Sequence, residues 1–282
     1  MPGVCVRGVP QARRSLAKVL GRSLAVLVAA NVLNNRVAPR LAPLTSVVAV
    51  AALVAMARRS GHTWDELGFH RLSRGAKVGG VLAAAVAGVY GAGVAIPQTR
   101  PFFQDQRALS LSRARVLEEA LLQVPVGTVL LEEVAFRGVL HGHLAGRHGH
   151  RVATALSSLL FGLWHILPAI DMARANPALA ELSAGRAVPP AYGGGTGGAD
   201  PGASDPAGSE GGRTAGPVGP GPGRAAVVRT VAGTVVVTGL AGALLCELRR
   251  RNGLLGPSLL HLATNSLGYA FARLSASASD GS

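Results

Sequence analysis

Polar side chains with regular spacing interrupt three apolar stretches of the sequence. They are Glu132, Glu133 and Arg137 in the first stretch, His165 in the second, and His261 and Asn265 in the third. A carboxylate can take a proton from water, while imidazole and amide groups can hold that water or donate hydrogen bonds to a developing oxyanion. These residue types therefore indicate acid–base chemistry on a bound water.

Spacing separates the two adjacent acids. Residues four apart share one face of a helix, so Glu133 can pair with Arg137, and His261 can lie beside Asn265. Glu132 is rotated by about 100° from Glu133. The spacing predicts that Arg137 neutralises Glu133 and leaves Glu132 free for chemistry.

Each of these groups alone has an ordinary structural interpretation. A Glu–Arg pair at this spacing often only stabilises a helix, a lone histidine is commonly a hydrogen-bonded interior residue, and an asparagine can join two helices. Ionisable side chains at membrane depth are costly, however, and usually mark a site. Three apolar windows that each supply such a group favour a functional interpretation.

The amino-acid composition indicates whether these apolar windows lie in a membrane. Of the 282 residues, 49% are hydrophobic and 15% are charged, and the mean hydropathy is +0.35. This is typical of a membrane protein. Seven mostly apolar windows are candidates for spans: 23–37, 41–57, 78–97, 116–140, 152–170, 225–248 and 254–274. We predict an all-α, polytopic transmembrane helix bundle of about seven to eight spans.

Two local patterns accompany these windows. Gly80, Ala84, Gly88 and Ala92 recur at every fourth position, which predicts a helix-packing face. The four histidines between 141 and 151 have no regular zinc spacing, and we predict a solvated turn there.

The net charge of +14 does not indicate nucleic acid, because most Lys and Arg residues fall in short segments between apolar windows. Such segments fix membrane topology. We predict an integral protein of the plasma membrane with a cytoplasmic N-terminus. Cys5 and Cys246 form neither a disulfide framework nor a metal motif.

The sequence resembles the membrane-embedded CPBP family, which comprises type-two CAAX prenyl proteases and bacteriocin-processing, Abi-like proteins. The family motifs EExxxR, FxxxH and HxxxN stand here in order as Glu132-Glu133 with Arg137, Phe161 with His165, and His261 with Asn265. The segment from Trp64 to Phe69 also resembles the family's short W-x-E-L-G-L segment. The resemblance covers about residues 63–272.

This resemblance implies a division of the chain. Residues 1–62 would form N-terminal membrane helices, 63–183 and 225–274 the two parts of the core, and 275–282 a tail. Residues 184–224 are rich in Gly and Pro, which predicts a disordered loop, longer than the family pattern suggests.

The resemblance also implies a polar intramembrane cavity in which a peptide bond near the membrane surface is hydrolysed. Glu132 would act as general base, His165 would hold the water, and His261 and Asn265 would stabilise the oxyanion. Glu133, Arg137 and Phe161 would support them. The expected partners are the lipid bilayer and a peptide or protein substrate, with or without a lipid group.

Two questions stay open at this level. The family is often described as metalloproteases, and Glu132, His165 and His261 are candidate ligands for a divalent metal such as zinc, although HExxH is absent and the same groups can activate water without metal. A non-proteolytic immunity or partner-binding protein on the same scaffold is the alternative function. Intact motifs favour the enzyme.

Overall fold

The computed structural model of the chain describes residues 9–175 and 224–280, with side chains from 18 and up to 278. Within these ranges the chain is helical and has no strand, so the all-α prediction is confirmed. The predicted disordered loop at 184–224 lies outside the described residues, except for Arg224. The division of the chain into segments stays a prediction.

The α-helices of the described ranges, in chain order, are α1 Val9–Val32, α2 Ala42–Arg59, α3 Leu72–Ala95, α4 Gln106–Ser110, α5 Arg113–Glu118, α6 Leu130–Glu132, α7 His141–Trp164, α8 Ile166–Ala175, α9 Arg224–Asn252 and α10 Leu255–Asp280. Short 3₁₀ segments lie at Pro39–Leu41 and Arg100–Phe103. Wider π-helical segments lie at Leu33–Val37, Glu119–Val129 and Glu133–Leu140.

Helices α5 to α7 and two π segments form one helical path from Arg113 to Trp164. The first of these two π segments contains Pro125. Proline removes a backbone donor and crowds the preceding turn, which favours a widened turn there. The path is kinked at Gly149, whose φ of 78° suits glycine. The prediction of a solvated turn from 141 is wrong for His141 and His143, which are helical and only 0% and 3% exposed.

Three helices among the described residues are long and apolar enough to cross a membrane: Pro39–Arg59, Leu72–Ala95 and Arg224–Asn252. A fourth span is added if the bent pair of Arg113–Trp164 and Ile166–Ala175, at 43°, counts as one. The membrane bundle is thus supported, but the count of seven to eight spans is not confirmed.

Helix α3 packs along α10 through glycines other than those predicted. A Cβ on Gly79 would lie 2.8 Å from Leu259 Cβ, and one on Gly75 would lie 3.1 Å from the amide nitrogen of Gly256. By contrast, a Cβ on Gly80 would meet nothing within 4 Å. The predicted small-residue face is therefore wrong by one residue, and the stripe containing Gly80 points away from the bundle.

The connector between α2 and α3, residues 60–71, is bonded to the start of α10. It is folded by a capping box, in which Glu66 Oε2 accepts from the Thr63 amide at 2.7 Å and the Glu66 amide donates to Thr63 Oγ1 at 3.2 Å. The hydrogen bond from the Thr63 backbone N–H lowers the pKa of the Glu66 carboxyl. The Leu254 amide donates to the Gly68 carbonyl at 2.8 Å, and buried Arg249 donates to the Glu66 carbonyl. These contacts fix the position of the first turn of α10 relative to the connector.

Candidate active site

The three motifs meet in the bundle interior. Glu132 ends α6, and Glu133 opens the following π segment, where every residue up to Leu140 is buried. His165 lies at the break between α7 and α8, and His261 lies in α10. Because the acids, the α7–α8 break and α10 are far apart along the chain, only tertiary packing brings these side chains together.

Glu133 is the centre of a buried ionic cluster. Its Oε1 lies 3.2 Å from Arg137 Nη1 and 2.8 Å from His261 Nδ1. The Glu133 and Arg137 side chains are 1% and 0% exposed. The guanidinium also lies over the ring of Phe161, with Cζ 3.8 Å from the ring centroid, in cation–π geometry. The three guanidinium nitrogens and Glu133 Oε2 have no hydrogen-bond partner in the described part of the chain, so ionic pairing and the aromatic face are what hold Arg137.

The two oxygens of Glu132 have different surroundings. Oε1 accepts a hydrogen bond from Trp164 Nε1 at 2.8 Å. Oε2 lies 3.5 Å from His261 Nε2 and 3.9 Å from His165 Nε2. Oε2 is buried and has no hydrogen-bond partner in the described part of the chain. One oxygen is therefore held, and the other is available.

The protonation of both histidines follows from their partners. His165 Nδ1 lies 2.8 Å from the Phe161 carbonyl oxygen, which can only accept, so Nδ1 carries a proton. His261 Nδ1 likewise donates to the Glu133 carboxylate. A ring that carries only this proton keeps a lone pair on Nε2, and both Nε2 atoms lie within 4 Å of Glu132 Oε2. Three acceptor atoms around one point suit a water molecule, which supplies two donors.

Asn265 lies one helical turn beyond His261 and is partly buried. Its side chain makes no hydrogen bond within residues 9–175 and 224–280. The site contains a further residue that spacing alone did not indicate, Trp164. The signal was its position beside His165 in an apolar helix, where an indole N–H needs an acceptor.

The candidate metal ligands do not fit a bound zinc in this arrangement. Among the residues that the structure describes, no three His, Cys, Asp or Glu side chains form a group able to hold a metal ion. Zinc ligand distances of about 2.0–2.2 Å bring tetrahedral donors to within roughly 3.5 Å of one another. The separation of 3.9 Å between His165 Nε2 and Glu132 Oε2 is wider, and Oε1 is bound to Trp164.

Comparison with known proteins gives one family. The model described as type II CAAX prenyl endopeptidase Rce1-like matches residues 119–267, which is more than half of the chain and includes all three motifs. No curated protein and no solved structure matches. The match gives no support to the Abi-like or metalloprotease part of the resemblance. Since the predicted resemblance and the match agree, the chain belongs to the Rce1-like family of type II CAAX prenyl endopeptidases.

Proposed function

We propose that this protein is an integral-membrane endopeptidase that hydrolyses a CAAX-type peptide bond near the membrane surface with water activated by Glu132 and His165. The observation that carries the proposal is the buried, unpartnered Oε2 of Glu132, which faces Nε2 of both His165 and His261 at 3.9 and 3.5 Å. A carboxylate in this setting is a suitable general base.

In the proposed reaction, Glu132 Oε2 takes one proton from the water. His165 Nε2 accepts the hydrogen bond of the other proton and thereby orients the oxygen lone pair. That oxygen attacks the scissile carbonyl carbon, and the carbonyl π pair moves to oxygen. When the tetrahedral intermediate collapses, the C–N bond breaks and Glu132 returns its proton to the leaving nitrogen.

The oxyanion formed in this step needs donors, and Asn265 and His261 lie on one face of α10 to supply them. The amide of Asn265 is free of any hydrogen bond in the described fold. His261 Nε2 is the second donor in this proposal, and it can donate only when the ring carries both protons. Glu133, held by Arg137, keeps the ring oriented.

The finer features of the reaction belong to the same proposal. The substrate is a peptide or protein that reaches the cavity from the bilayer surface, with a prenylated cysteine as the family name suggests. The membrane is the plasma membrane, and the N-terminus is cytoplasmic. Water activation proceeds without a metal.

The test uses purified, reconstituted protein and a fluorogenic peptide ending in a Cys-aliphatic-aliphatic-X sequence, farnesylated or unmodified. Glu132→Gln removes the base and keeps the shape, so we expect cleavage to fall by at least about 10²-fold. Glu118→Gln, an acid on the same helical path but outside the site, should cleave at the wild-type rate.

Each outcome separates the alternatives. Wild-type cleavage rates in Glu132→Gln contradict the mechanism. A folded wild-type protein that cleaves neither peptide supports the non-proteolytic binding protein instead. A preference for the farnesylated peptide supports prenyl recognition, and equal rates contradict it. Loss of activity with a zinc chelator, restored by added zinc, contradicts the metal-independent route.

A further inference from the structure

Trp164 contacts the proposed base directly. Its indole Nε1 lies 2.8 Å from Glu132 Oε1. An indole N–H is only ever a donor, so this contact assigns Oε1 as the acceptor. A hydrogen bond to an ionised group is among the stronger ones in proteins.

The break between α7 and α8 allows this contact. Neighbours on a regular helix point about 100° apart and do not reach the same group. Helix α7 ends at Trp164, and His165 has φ −83° and ψ 2°, outside the helical region. Trp164 and His165 therefore both approach Glu132, one at each carboxylate oxygen.

Trp164 is itself held in place. Its carbonyl oxygen accepts from Asn31 Nδ2 at 3.1 Å, which ties it to α1. Its ring meets the Phe136 ring edge to face, with centroids 5.6 Å apart. Phe136 is 2% exposed and follows the two acids on their own helical path. Trp164 is thus held by one contact from α1 and by another from the helical path that carries Glu132.

We infer that Trp164 is a positioning residue, which holds Glu132 through Oε1 so that Oε2 stays directed at the two Nε2 atoms. This inference rests on the proposed function of Glu132 as the base. A purely structural tryptophan would contribute its ring to the core, and its N–H would not affect the reaction. Removal of the indole N–H alone would slow the reaction if Trp164 is a positioning residue, and would leave the rate unchanged if its role is only structural.

Trp164→Phe makes that change, since it keeps an aromatic ring against Phe136 and removes the donor. We expect kcat to fall by about tenfold or more, the range for a hydrogen bond to a charged group, with KM nearly unchanged. Trp64→Phe is the matched control because Trp64 is exposed and lies in the connector. Wild-type kcat in Trp164→Phe, or a loss confined to KM, overturns the inference.

A spectroscopic measurement covers the case in which Trp164→Phe does not fold. The chain has two tryptophans, so Trp64→Phe leaves Trp164 as the only indole. In that background, Glu132→Ala removes the acceptor, and the ultraviolet resonance Raman band that reports indole N–H hydrogen bonding should shift to its weakly bonded position. An unshifted band overturns the inference.

The two measurements also separate this inference from the proposed function. The Raman shift requires no substrate, so it tests the contact even in a protein that cleaves nothing. A shifted band in a protein without any cleavage activity contradicts the proposed function and leaves only the contact between Trp164 and Glu132 established. A cleaving protein with an unshifted band and unchanged kcat contradicts the role of Trp164 alone.

Discussion

Glu132 and Glu133 are neighbours in sequence, yet their carboxylates have different partners. Glu133 is paired with Arg137 and bonded to His261, while Glu132 has no cationic partner of fixed charge and is bonded to Trp164. In the first arrangement, loss of either partner would leave a buried charge without its counter-charge. The second leaves a reactive group in a position that the fold does not need.

This difference predicts that the same substitution affects stability strongly at one position and little at the other. Glu133→Gln leaves the Arg137 charge buried and uncompensated, so we expect a loss of about 3–5 kcal/mol in stability. Glu132→Gln removes no ion pair with Arg137 and should unfold close to the wild-type temperature. Thermal unfolding of both variants in detergent measures this, and equal midpoints for the two would contradict the division of roles.

At the level of elements, the site is built where regular helix gives way. The π segment Glu133–Leu140 follows the first acid, and the α7–α8 break places His165. Widened turns and breaks of this kind redirect side chains that a regular helix would hold apart. Helix α10 then supplies His261, and its distance from the acids depends on how closely it packs on α3.

Two adjacent glycines of α3 test that dependence. A Cβ on Gly79 would lie 2.9 Å from the backbone oxygen of Gly256, as well as 2.8 Å from Leu259 Cβ, whereas Gly80 has open space. Gly79→Ala should push α10 outwards, destabilise the protein by about 1–3 kcal/mol and reduce peptide cleavage.

Gly80→Ala is the matched control. It should leave cleavage unchanged and gain up to about 1 kcal/mol from helix propensity. Unfolding midpoints and cleavage rates of the two variants are compared side by side. If both alanines behave alike, α3 does not set the position of α10.

At the level of the whole molecule, the two ends of the bundle differ. The connector after α2 meets the start of α10, through Leu254 and Gly68. Arg100, which follows α3, donates to the Ala278 carbonyl at the far end of α10, at 2.9 Å. Helix α10 has 26 residues, about 39 Å in length, so these two regions lie at opposite ends.

Basic residues concentrate at the connector end. Its arginines include those at positions 58, 59, 71, 74, 249, 250 and 251, and its acids include Asp65, Glu66 and Glu247. The opposite end mixes arginines with acids, which include Asp105, Glu118, Glu119 and Asp171. Helix α1 packs on α2 and joins it by a short turn, so the N-terminus belongs to the connector end. The positive-inside rule then predicts that this end is cytoplasmic.

Two exposed serines report the orientation. In a chain with Cys5 and Cys246 replaced by Ser and Ala, Ser60→Cys lies at the connector end and Ser112→Cys at the other. A membrane-impermeant thiol reagent should label residue 112 in intact cells, and residue 60 only after the membrane is opened. The reverse pattern would contradict the proposed topology.

The sequence by itself determined features that depend on composition and local spacing. It gave the apolar helical character, the pairing of Glu133 with Arg137 at one helical turn, and the three motifs that carry the family, because each is a property of residues close together along the chain. The packing face of α3 was off by one residue, since adjacent glycines are equivalent in sequence and differ only in what lies opposite.

Tertiary structure decided the rest. The approach of His165 and His261 to Glu132, the proton on Nδ1 of His261, the burial of His141 and the bond from Trp164 depend on contacts between residues 32, 108 or 128 positions apart. The proton on Nδ1 of His165 is different, since its acceptor is the Phe161 carbonyl one helical turn away. The long-range contacts arise from the packing of whole helices. No periodicity within one helix encodes them, so they become visible only when the bundle is assembled.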